Sequence, residues 1–125
     1  MNIKFLGVGE AFDERYPNNS HVLVANNTNL LVDCGYSVPQ QWWKLGKDAN
    51  FLDAIYISHK HADHFFGLLV LLMRIWEEGR TKPLAVICQT LNYEMDNKKN
   101  ISRDPANLQK KIAPGSLCLF PNFWL

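Results

Sequence analysis

Apolar and polar positions alternate in blocks along the first ninety residues, and the blocks divide into strands and helices. Ile3 to Leu6 is a short apolar run closed by Gly7-Val8-Gly9, the pattern of a buried strand entering a loop. His21 to Ala25 and Leu30 to Asp33 are two more strand-like runs, linked by Asn26-Asn27-Thr28-Asn29, a short polar stretch suited to closing a hairpin. Ser37-Val38-Pro39 opens a short helix through Trp42, Trp43 and Leu45, with serine placed to cap it and proline acceptable in its first turn. Leu52 to Ser58 reads as a strand, rich in β-branched and aromatic residues toward its end. Phe65 to Glu78 is apolar nearly all round and ends before Gly79, which predicts a buried helix with a glycine stop. Leu84 to Cys88, introduced by Pro83, is a further strand. Strands first, then strand and helix in alternation, predict a layered α/β domain.

Beyond residue 90 the pattern dissolves. Only five of the twenty residues 92–111 are apolar, and the segment carries five basic and three acidic side chains. Pro105, Pro114 and Pro121 interrupt any regular element. The closing run Leu117 to Leu125 is apolar without a period, so residues 91–125 are expected to be a tail, poorly ordered or irregularly packed.

Composition narrows this picture without redirecting it. A chain of 125 residues makes one domain or a piece of a larger one. At that size it buries roughly two-thirds of the surface its unfolded form exposes, enough for a core without disulfide staples. Thirteen basic and twelve acidic residues leave a net charge of +1, too small a field to predict nucleic-acid or membrane binding. The longest apolar stretch is the nine residues Phe65–Met73, and a membrane span needs about 20. The N-terminus has no signal-peptide core. Cys34, Cys88 and Cys118 are odd in number and widely spaced, which fits reduced thiols in a cytoplasm better than a disulfide framework.

The chemistry concentrates at His59-Lys60-His61-Ala62-Asp63-His64, between a strand and a helix. Imidazole nitrogen and carboxylate oxygen suit zinc, with iron or manganese as alternatives in mixed sites. In an extended loop, residues two apart project to one side, so His59 and His61 can grip one ion together. As the chain turns toward the helix, Asp63 and His64 can face a second position. Two such metals can hold a water as hydroxide and clamp the oxygens of an ester under attack. Other signals are weaker. Gly7-Val8-Gly9 lacks the third glycine of a dinucleotide loop. His21, Trp42 and Trp43 fit ordinary packing, and Lys98-Lys99 and Lys110-Lys111 fit a solvated surface.

The stretch Ser58-His59-Lys60-His61-Ala62-Asp63-His64-Phe65-Phe66-Gly67-Leu68 resembles the signature of the metallo-β-lactamase superfamily of hydrolases. Gly7-Val8-Gly9-Glu10-Ala11-Phe12 with Asn18-Asn19-Ser20 resembles the opening of its ribonuclease Z-like and phosphodiesterase-like branch. Leu31-Val32-Asp33-Cys34-Gly35 is similar to the strand that ends in the family's first acidic residue. The resemblance covers roughly residues 1–90. It implies an α/β fold, the αββα layered sandwich of that superfamily, here its N-terminal half. It implies zinc in a two-metal site, with His59 and His61 on the first metal and Asp63 and His64 on the second. Asp63 would also orient or deprotonate the attacking water as the catalytic residue. Asp33 would hydrogen-bond the loop that carries the ligands; a strand-end aspartate turning with Gly35 is the plainer reading.

The chain also departs from that family. Members carry a further histidine, a bridging aspartate and a last histidine downstream, whereas residues 65–125 contain no histidine. Each metal would then have two protein ligands where catalytic zinc usually has three. The expectation is a metal-dependent hydrolase of phosphodiester or RNA-type substrates, small molecules included, working through a metal-held hydroxide. The alternative is a truncated, silent fragment or a partner subunit. Either form of half domain would leave apolar surface open, so self-association is expected.

Overall fold

The computed structural model describes residues 1–88 and the backbone of Leu117–Leu119. The chain forms strands β1 (Asn2–Gly7), β2 (Ser20–Ala25) and β3 (Thr28–Val32), then helix α1 (Val38–Lys44) and strand β4 (Ala54–Ile57). Helices α2 (Ala62–Phe65) and α3 (Leu68–Glu77) follow, and strands β5 (Ala85–Cys88) and β6 (Leu117–Leu119) complete the series. The six strands lie side by side in chain order in one sheet. β1, β2 and β3 are antiparallel neighbours; β3, β4 and β5 run parallel, and β6 returns antiparallel along β5.

The change from antiparallel to parallel follows from the connections. Between β2 and β3 the link is the two residues Asn26 and Asn27, whose φ of 48° and 64° are those of a tight hairpin turn. It is shorter than the four-residue link the sequence predicts, because Thr28 and Asn29 already pair with Ala25 and Val24. β3 to β4 and β4 to β5 each cross over through helix, which parallel strands require. In register, Leu31 pairs with Ile55 and Ile55 with Val86. These residues, with Val22 and Ile57, are buried in one cluster with Val38 and Trp42 of α1 and Leu71 and Ile75 of α3. The parallel strands therefore end together, and the β3 and β4 ends carry Asp33 and Ser58.

Three further sequence expectations change. The helix predicted over 65–78 is two helices, because the Gly67 N–H donates to the Cys34 carbonyl at 2.9 Å and ties the chain to the end of β3. Nor is it buried all round: Leu68, Leu71 and Ile75 face the core, while Leu69, Val70, Met73 and Trp76 are exposed. A run of uniformly apolar residues does not say which face is covered. Within the expected irregular tail, Leu117–Leu119 is a strand, too short for any period to reveal; the rest of residues 89–125, with Lys98-Lys99 and Lys110-Lys111, lies outside the described residues. Among the described residues no helix is long and apolar enough to cross a membrane.

Candidate metal centre

β3 ends where Asp33 takes a left-handed backbone, φ 59°, unusual for a residue other than glycine. Its N–H still donates to the Tyr56 carbonyl at 2.8 Å, so the ladder holds while the side chain swings toward the end of β4. There the carboxylate of this buried residue accepts three hydrogen bonds. The Ser58 N–H donates to Oδ1 at 2.7 Å, the Ser58 hydroxyl to Oδ2 at 2.8 Å, and His64 Nδ1–H to Oδ2 at 2.7 Å. Asp33 therefore joins the ends of both strands to α2. The plainer reading of it as a turn aspartate does not account for these contacts.

Two close backbone approaches fix α2 against that strand end. The Cys34 N–H donates to the His64 carbonyl at 2.8 Å, and Gly67 returns a bond to Cys34. Gly35 lies directly under the Asp63 carbonyl, and Gly67 under the Gly35 carbonyl, so a Cβ at either position would meet backbone. From the N-terminal loop, buried Asn18 joins in. Its N–H donates to Ser37 Oγ at 2.8 Å, and that hydroxyl donates back to Asn18 Oδ1 at 2.7 Å. Ser37 occupies the cap position of α1, as expected, but its side chain makes no cap bond because it serves Asn18 instead. Ser20 Oγ, equally buried, donates to the Asp33 carbonyl at 2.8 Å.

The structure brings His59, His61, Asp63 and His64 together. His59 Nε2 stands 3.1 Å from His61 Nδ1, the His59 and His64 rings lie 4.0 Å apart between centroids, and His64 Nε2 stands 3.2 Å from Asp63 Oδ2. Hydrogen positions follow from the partners. An ionised carboxylate only accepts, so the single Ser58 hydroxyl proton goes to Asp33 and the hydroxyl oxygen accepts from His59 Nδ1–H at 2.9 Å. His64 likewise spends its Nδ1–H on Asp33. In their neutral forms both rings then present Nε2 as an electron-pair donor. That of His64 stands against Asp63 Oδ2, a contact that either an imidazolium proton or a metal cation satisfies.

The donor chemistry fits zinc. Imidazole nitrogen and carboxylate oxygen suit a divalent cation of that kind. The donor count falls short of a full catalytic site. Among the described residues no group of three His, Cys, Asp or Glu side chains converges on one point. His21 stays outside the centre, its ring 5.6 Å from that of Phe5 on β1. Ser58, Asn18 and Ser20 are contributors whose roles the sequence reading did not assign. A hydroxyl residue directly before the first histidine was the available signal for Ser58.

The comparisons with known proteins bear on this centre. A sequence model described as "Anti-Pycsar protein Apyc1" matches residues 1–101. The chain belongs to the Apyc1 family. An Anti-Pycsar protein Apyc1 from Paenibacillus harenae is 33% identical over 110 residues, which cover 86% of this chain and 46% of that protein. One from Bacillus phage 010DV004 is 44% identical over 69 residues, 54% of this chain and 27% of that protein. The chain thus spans about half the length, or less, of the Apyc1 proteins it matches. Among solved structures, human tRNase Z, short form, superposes with a TM-score of 0.54 at 37% identity, covering 60% of this chain and 29% of that one. The fold is metallo-β-lactamase-like and partial: the described residues hold one sheet with both longer helices in a single core. The fold expected from the ligand motif is supported, and the family match names Apyc1, a family related to that fold.

Cys34, between Asp33 and Gly35, is fully buried and free. Burial first, and the Asp33 charge second, push its thiol from 9.0 up to about 12. A raised acid holds its proton longer in the folded state than in the unfolded one. Its contribution to stability is therefore complete below about pH 9 and is lost as pH rises toward 12. Iodoacetamide at mildly alkaline pH should modify the half-buried Cys88 and spare Cys34 until denaturant is added, as peptide mass mapping would read. Equal labelling of both in the native protein would show that the β3 end is open.

Proposed function

We propose that this chain supplies the metal-binding front of a phosphodiesterase, with cyclic nucleotides and RNA as the candidate substrates. The observation that carries it is the hydrogen-bond network in which Asp33 engages Nδ1 of His64 directly and Nδ1 of His59 through Ser58, turning each Nε2 toward a further metal-capable atom. Membership of the Apyc1 family and the superposition on a tRNase Z support the phosphodiester class. His59 and His61 would hold one ion, and Asp63 and His64 a second, with zinc the first candidate and iron or manganese the others. When bound, a divalent cation supplies Lewis acidity and offsets the charge that builds on the phosphoryl oxygens. Asp63, 3.2 Å from His64 Nε2, has a second carboxylate oxygen with which to take the proton of an attacking water. Asp33 holds His64 against rotation throughout.

The test is turnover of a chromogenic phosphodiester and of cyclic nucleotides by the full chain with added zinc or manganese. His61→Ala should lower any such turnover at least about 100-fold while leaving the unfolding transition in place, since His61 is exposed. A second reading rests on the two-donor count at each position and on the lack of histidine beyond His64. In it the chain is silent alone and works only with a partner that brings the remaining ligands. No turnover alone, and turnover on adding a polypeptide carrying the remainder of an Apyc1 protein, would favour that reading. Wild-type turnover abolished by His61→Ala would reject it.

A further inference from the structure

We infer that Ser58 is a positioning residue. Its hydroxyl links Asp33 to His59 and fixes that ring in the Nδ1–H form, so that Nε2 is left as the electron-pair donor. The inference rests on the reading of His59 as a ligand and adds how its ring is prepared. Asp33 reaches His64 directly, Oδ2 to Nδ1 at 2.7 Å. For His59 the same oxygen works through an intermediary: 2.8 Å to Ser58 Oγ, then 2.9 Å from Ser58 Oγ to His59 Nδ1. One carboxylate thereby sets two rings, one by contact and one through a hydroxyl.

The hydroxyl has no other evident task. The Ser58 N–H already ties the backbone to Asp33 Oδ1 at 2.7 Å, so the strand end stays in place without the side chain. Ser58→Ala thus removes the link and spares the anchor. In a free neutral histidine the Nε2–H form prevails. Without the hydroxyl, His59 would therefore drift toward carrying its proton on the nitrogen that faces His61 across 3.1 Å. That form must lose or move a proton before Nε2 can bind an ion, which weakens binding.

The experiment is long-range ¹H–¹⁵N correlation of the imidazoles in the metal-free chain at about pH 8, above the ordinary histidine pKa of about 6.5. The chain has four histidines, so His59 is assigned by its disappearance in His59→Asn. Wild type should show His59 as Nδ1–H. Ser58→Ala should move it toward Nε2–H, and Ser58→Thr should restore it. Zinc affinity, read by competition with a chromophoric chelator, should fall about 10–100-fold in Ser58→Ala and recover in Ser58→Thr. A purely structural serine would lower the unfolding midpoint without changing the ring. His59 found as Nε2–H in the wild type, or unchanged in Ser58→Ala, overturns the inference even if zinc binds tightly. A wild type that takes no zinc yet shows the expected tautomer changes would sink the metal reading and leave the role of Ser58 standing.

Discussion

Asp33→Ala is expected to cost the fold about 3 kcal/mol or more and to abolish zinc binding together. The carboxylate is buried and accepts three bonds from the Ser58 N–H, the Ser58 hydroxyl and His64 Nδ1–H. Hydrogen bonds to a charged acceptor contribute about 1.5–3 kcal/mol each, and removing the acceptor strands donors in a region that water enters poorly. Alanine also tolerates the left-handed backbone at φ 59° less well than aspartate does. Against a total stability of about 5–15 kcal/mol for a domain, such a loss brings the chain near unfolding. Asp33→Asn separates the two effects. Its amide matches the shape and keeps one acceptor oxygen, but the other atom becomes a donor aimed at Ser58 Oγ and His64 Nδ1–H. Stability should fall less than in Asp33→Ala, while zinc affinity falls as far. Urea denaturation and zinc titration of the two variants are the measurements. If Asp33→Asn binds zinc as the wild type does, Asp33 does not govern the rings.

The resemblance of Leu31-Val32-Asp33-Cys34-Gly35 to a family strand singles out this carboxylate but not what it touches. The reason is physical. A motif gives the order of donors, whereas the partners of Asp33 lie 25 and 31 residues away and meet it only once β3 and β4 pair. The six strand runs show the same division. β1 to β5 were legible because apolar periods of four to six residues are long enough to read. β6 was not, at three residues, and pairing with β5 is what makes it a strand. The cluster of metal-capable side chains is legible because it is local, four of them within six residues. The support is not. Asn18 meets Ser37 across 19 residues, and Ser20 meets Asp33 across 13. The exposed side of α3 is illegible for a different reason: apolar residues all round a helix carry no information about which side the sheet covers.

The second large effect belongs to a residue with no side chain. Gly35→Ala is expected to destabilise the chain by about 2–5 kcal/mol and to remove zinc binding in whatever remains folded. The new Cβ would meet the Asp63 carbonyl, and beyond it Asn18 Oδ1 at 2.8 Å. The first obstacle is backbone, which cannot turn aside as a flexible side chain can. Relief requires the segments 33–35 and 63–67 to separate. That separation would stretch the Cys34–His64 and Gly67–Cys34 bonds, 2.8 and 2.9 Å long, and carry His64 away from Asp33. Gly46→Ala is the matched control. Gly46 has φ 57° with nothing within 4 Å of a built Cβ, so only the left-handed strain applies, about 1–2 kcal/mol. Gly46→Ala should therefore lower the urea midpoint modestly and bind zinc as the wild type does. Gly35→Ala should lose both stability and binding. Near-equal midpoints for the two variants, with zinc affinity intact in Gly35→Ala, would mean that α2 is not held by backbone contact at the end of β3.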